Sequence, residues 1–114
     1  MIINDEIITI KDLIVANADC EQVYLFGSYA YGRPGTDSDY DFYVVLNDGA
    51  ELPILVMQTL YRSMAGMHRR TPVDILAQYK RTFEERRAFL TIERTVVNKG
   101  VLLYDKHRPG SAMV

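Results

Sequence analysis

A single cysteine, Cys20, stands in the 114 residues, so no internal disulfide can staple the fold. That usage fits a reducing compartment. No histidine lies near Cys20 in the sequence, so the thiol reads as a small core group and not as a nucleophile. The chain also lacks any apolar run approaching the roughly 18 residues that suggest a bilayer span. Its opening stretch, MIINDEIITI, carries Asp5 and Glu6 where a secretory leader needs basic residues, and has no small-residue cleavage site. A cytoplasmic location without membrane association is expected. Net charge is only −2, which gives no bulk attraction to nucleic acid, and no direct nucleic-acid binding is expected. His68 and His107 each lack a second histidine at ligand spacing, which argues against zinc. No repeat, linker or low-complexity block interrupts the chain. It reads as one domain over residues 1–104, with 105–114 as a flexible C-terminal tail.

What the sequence does contain is an apolar pattern that switches between two periods. Residues 9–18 place Ile10, Leu13, Ile14 and Ala18 on one side of a helix. QVYLFG (22–27) is a short apolar run ending in glycine, which predicts a buried strand. GSYAYG then predicts a tight turn into a short helix closed by RPG. SDYDFYVVLN (38–47) is the clearest strand: Asp39, Asp41, Tyr43 and Val45 share one face, and Tyr40, Phe42, Val44 and Leu46 the other. Residues 51–68 form a helix with Pro53 in its first turn and Met57, Leu60, Met64 and Met67 as a core-facing stripe. PVDILAQY (72–79) is a third strand. Residues 82–100 read as one helix with Thr82 as N-cap, Glu85 three places on, and Gly100 just past the end. VLLY (101–104) completes the strands. The expected fold is therefore α+β: a mixed β-sheet of about four strands with helices on one face and the carboxylates on the bare face.

The stretch GSYAYGRPGTDSDYD (27–41) crowds Asp37, Asp39 and Asp41 together, and like charges so close raise one another's pKa unless a cation sits among them. Asp37 has a simpler role in the turn PGTDS. Asp39 and Asp41 project from one face of a strand, about 7 Å apart at their Cα atoms. Asp74 lies on another strand between Val73 and Ile75, where an unpaired charge is costly. If those strands are neighbours, three carboxylates converge. Hard oxygen ligands of this kind suit Mg²⁺ shared with substrate phosphates, and two such ions can stabilise both oxygens of a phosphoryl or nucleotidyl displacement. Gly27-Ser28 sits where strand gives way to helix. Free N–H groups there, with a glycine that lets phosphate approach the backbone, suit a triphosphate. A P-loop is a poor match to the same stretch, because Arg33 and Pro34 replace the diagnostic Lys and Ser/Thr.

Gly27-Ser28, ten intervening residues and Asp39-x-Asp41 resemble the signature of the DNA polymerase β-like nucleotidyltransferase superfamily. The short chain looks like its minimal nucleotidyltransferases over most of residues 9–104. The resemblance implies a polymerase β-like palm in which Asp39, Asp41 and Asp74 are catalytic and metal-binding, holding Mg²⁺ as two ions. It places Gly27 and Ser28 on the triphosphate of ATP. Asp74 would complete the metal shell and help activate the acceptor hydroxyl. Many minimal members resemble antitoxin halves of toxin–antitoxin pairs that transfer AMP to a tyrosine of a HEPN-type toxin, which makes such a toxin the implied partner. One departure is visible: many relatives carry Arg where this chain has Tyr31, and Arg33 in the same loop is the candidate replacement. Two rival readings share the core. One is an antibiotic-type nucleotidyltransferase acting on a small molecule, which usually needs a further domain to hold its acceptor. The other is a non-catalytic antitoxin that neutralises its partner by contact alone.

Overall fold

The computed structural model describes residues 3–35, 38–67 and 71–108. Asp37, the basic run at 68–70 and residues 109–114 of the expected tail lie outside these. Along the chain run α1 (Asp5–Asn17), β1 (Cys20–Phe26), α2 (Ser28–Tyr31), β2 (Tyr40–Leu46), α3 (Pro53–Met64), β3 (Val73–Tyr79), α4 (Lys80–Arg86), α5 (Ile92–Lys99) and β4 (Val101–Asp105). The strands form one mixed sheet in the order β3-β2-β1-β4. β1 pairs antiparallel with both β2 and β4, while β2 and β3 run parallel. A parallel pair needs a crossover, and α3 supplies it.

Strand alternation divides the core as the sequence predicts. Val23 and Leu25 of β1, with Phe42, Val44 and Leu46 of β2, join Ile7, Ile10 and Ile14 of α1 and Val56, Leu60 and Met64 of α3. The methionine stripe is core, with Met57 and Met67 packed at its margin. α1 begins four residues earlier than the apolar period alone suggests, because Asn4 caps it by accepting the Ile7 N–H at 2.8 Å. Cys20 is buried, and burial together with the neighbouring Asp19 pushes its thiol up to about 11, in keeping with a packing role.

The second face differs from expectation. The segment 82–100 is two helices, and both pack on the side that carries Asp41. Phe83 of α4 and Val96 of α5 bury Tyr24, Tyr43 and Val45 in a smaller core. The break has a local cause. Thr91, not Thr82, is the cap: its hydroxyl donates to the Arg86 carbonyl at 2.7 Å and accepts from the Arg94 N–H, ending one helix and starting the next. Helices over one face therefore describes α1 and α3, whereas α4 and α5 roof part of the other. Gly100 does end α5. β4 runs one residue into the expected tail, where Asp105 is buried and the Lys106 N–H bonds the Glu21 carbonyl at 2.8 Å. Among the described residues, no helix is long and apolar enough to cross a membrane.

Candidate active site

Asp41 is the second residue of β2 and Asp74 the second of β3, and the parallel register sets them directly opposite. Residues in register on neighbouring strands point to the same face. Asp39, two residues before Asp41, joins them. Carboxylate oxygens from Asp39, Asp41 and Asp74 all come within 4.8 Å of one another. The convergence that depended on strand order is present. Tyr40, between the two aspartates, turns to the opposite side and is buried there.

The charge on this cluster is uncompensated among the described residues, where no ion pair reaches any of the three. Asp41 is half-buried and takes the consequence. Burial first, then the charges of Asp74 and Asp39, push its carboxyl up to about 6 from 3.8. Hard anionic oxygens set this close are a donor set that suits a divalent cation, and the disfavoured ionisation of Asp41 is what such a cation would relieve.

Gly27 stands against Asp41. Phe26 pairs with Asp41 across β1 and β2, and the chain then turns through Gly27 at φ 75° and ψ −163°. That region is essentially closed to side chains. A Cβ here would also sit 2.1 Å from Asp41 Oδ2. Glycine is thus required twice, by backbone angle and by the carboxylate pressed against it. This contact ties together two motifs that lie a dozen residues apart. Ser28 opens α2, whose first N–H groups have no partner within the helix. The loop folds back tightly, with the Arg33 N–H bonded to the Ser28 carbonyl at 2.9 Å. Arg33 and Tyr31 are both exposed beside it. Tyr29 and Tyr40 meet edge to face at 4.7 Å, which makes them packing residues holding α2 to β2.

Two features escaped the sequence. Tyr61 of α3 places its hydroxyl 3.3 Å from Asp74 Oδ1 and accepts the Ile75 N–H at 2.7 Å. Tyr61 lies at the margin of the α3 stripe, four residues after Met57 and three before Met64, so its spacing reads as packing and does not mark it as a partner of Asp74. Glu93, only 3% exposed, accepts from the Tyr43 hydroxyl at 2.8 Å and from Arg86 Nε at 2.9 Å. Burial raises its pKa, but bonds from Tyr43, its backbone and Arg86 outweigh this and hold it below the ordinary range. That brace fastens α4 and α5 to β2 two residues beyond Asp41. A single helix over 82–100, as the sequence pattern suggests, would not bring Arg86 and Glu93 together in this way.

Comparison with known proteins agrees with this geometry. The family model described as "Polymerase beta, Nucleotidyltransferase" matches residues 9–109. No curated protein is significantly similar. Among solved structures, a candidate nucleotidyltransferase from Sulfolobus solfataricus superposes with a TM-score of 0.60 at 21% identity, covering 89% of this chain and 78% of its own. A mutant of the toxin–antitoxin MntA-HpeT, two aspartates replaced by glutamate, gives 0.56 at 22% identity over 90% and 74%. A toxin–antitoxin with AMP-PNP gives 0.55 at 23% over the same shares. At these identities the structures speak for the fold alone, whereas the family match spans nearly the whole chain. The carboxylate trio, the glycine turn seated on it and that match lead to one assignment: the chain belongs to the polymerase beta nucleotidyltransferase family.

Proposed function

We propose that this chain transfers AMP from ATP to a hydroxyl of a partner protein, a tyrosine of a HEPN-type toxin, in a Mg²⁺-dependent reaction, and so serves as the antitoxin. The observation that carries the reading is the meeting of Asp39, Asp41 and Asp74 on an open face beside Gly27. Structural likeness to toxin–antitoxin complexes, one of them with AMP-PNP, supports both the class of partner and the nucleotide.

Asp39, Asp41 and Asp74 would hold Mg²⁺, which, when bound, neutralises charge on the phosphates and stabilises the attacking and leaving oxygens. The chain's own residues do the rest. Gly27 has no side chain to keep the triphosphate off the backbone, and Ser28 offers a hydroxyl and a helix-start N–H to a phosphate oxygen. Asp74 is exposed on the edge strand, where a hydroxyl carried by another protein can reach it. Its carboxylate accepts the proton as the hydroxyl oxygen bonds to the α-phosphorus and the bond to the bridging oxygen breaks, releasing pyrophosphate. Because nucleotidyl transfer places little covalent demand on the protein, positioning and charge carry the catalysis.

The test is to incubate the chain with α-labelled ATP, Mg²⁺ and the protein encoded beside it. Label on that protein, lost with Asp39→Ala or Asp41→Ala while folding is kept, is the expected result. A firm complex that never acquires label would overturn the reading in favour of neutralisation by contact.

A further inference from the structure

β3 is an edge strand, so one side of its backbone has no neighbouring strand among the described residues. Tyr61, reaching over from α3, meets that side. Its hydroxyl oxygen accepts the Ile75 N–H at 2.7 Å, and Asp74 Oδ1 lies 3.3 Å away. A tyrosine hydroxyl has a single proton. With the Ile75 N–H already pointing at the oxygen, that proton is directed to the Asp74 carboxylate. One hydroxyl therefore bridges the side chain of Asp74 and the backbone of the next residue. The bridge limits rotation of the carboxylate and engages Oδ1, while Oδ2 has no hydrogen-bond partner among the described residues. Asp39 and Asp41 have no comparable partner among the described hydrogen bonds. Asp41 is steadied instead by Gly27 and by its place in a central strand. Asp74 is exposed and lies on the sheet margin, where this bridge gives its carboxylate an external hold.

We infer that Tyr61 is a positioning residue for this centre, fixing the Asp74 carboxylate so that one oxygen faces Asp39 and Asp41. This rests on reading the trio as a metal-dependent transfer site. Hydrogen-bonding partners behind a ligand commonly account for ten- to hundredfold in metal affinity or activity, which sets the expected size.

The test is a double-mutant cycle on the full chain, with Tyr61→Phe and Asp74→Asn alone and combined. Mn²⁺ binding is followed by electron paramagnetic resonance in the presence of a non-hydrolysable ATP analogue. Tyr61→Phe is expected to weaken Mn²⁺ binding about tenfold or more when Asp74 is present and to have no further effect when Asn is there. Equal losses in both backgrounds, or wild-type binding by Tyr61→Phe where Asp74→Asn is impaired, would overturn the inference and leave the transfer site standing. No Mn²⁺ uptake by the wild type, with Asp74→Asn indistinguishable from it, would remove the transfer site and this inference with it. Should Tyr61→Phe not fold, 3-fluorotyrosine at position 61 keeps the hydroxyl and reports the same coupling. Its ¹⁹F resonance is expected to move on adding Mg²⁺ when Asp74 is present and to stay fixed with Asp74→Asn. A resonance that responds identically in both cases would refute the role.

Discussion

Replacing Asp41 by asparagine is expected to stabilise the metal-free protein. The carboxyl group rises from 3.8 to about 6 on folding, through burial and the charges of Asp74 and Asp39. A rise of that size corresponds to about 3 kcal/mol of disfavoured ionisation. The site is half-open, so solvent screening reduces the recoverable part to on the order of 1–2 kcal/mol. The sign follows from proton linkage. Because the folded value lies above the unfolded one, the folded state binds more protons between them. Wild-type stability therefore falls as pH rises from near 4 through about 6, then levels off. Asparagine keeps the shape beside Gly27 without the charge. Urea unfolding without divalent ions should show Asp41→Asn more stable than wild type at about pH 8, with the gap closing near pH 4. Added Mg²⁺ should raise wild-type stability and narrow the difference. A variant less stable than wild type at the higher pH, or a gap independent of pH, would refute the account of like charges held together.

Three further outcomes follow from particular contacts. Gly27→Ala forces φ 75° on a side-chain residue and drives its Cβ into the Asp41 carboxylate; a loss of about 1–3 kcal/mol by thermal melting is expected, with weakened Mn²⁺ binding. Glu93→Ala leaves the buried Tyr43 hydroxyl unpaired and frees Arg86, so a loss of about 2–3 kcal/mol is expected; hydrogen exchange should rise across α4 and α5 before it rises in α1. Its depressed pKa also means that the stability this glutamate contributes is present above the ordinary glutamate value and is lost as pH falls through the folded one. Thr91→Ala removes both the cap of α5 and a bond to the Arg86 carbonyl, at about 1 kcal/mol by urea unfolding, whereas Thr82→Ala should cost little.

Much of this architecture can be read from the residues because strand alternation is a strict rule. Asp39 and Asp41 had to share a face with Tyr43 and Val45, and the apolar face of β2 had to pack under helices. Asp74 was legible as a charge placed between apolar neighbours, but its convergence needed the parallel pairing of β2 and β3, which no local pattern encodes. The helix break at 87–91 was missed because Thr82-x-x-Glu85 offers a plausible cap, while the operative one depends on Thr91 reaching an earlier carbonyl. Tyr61 and Glu93 act through contacts between distant segments, and such contacts leave no periodic trace.

The roof formed by α4 and α5 stops short of the carboxylates: Tyr43 beneath it is almost wholly covered, whereas Asp74 lies open to solvent. A reacting centre on such a ledge has water for company as well as any incoming alcohol, and nothing among the described residues would choose between them. If AMP is delivered to another protein, docking of that protein must both bring the acceptor and shut out the competitor. Wasteful hydrolysis of nucleotide should then fall when the two proteins meet.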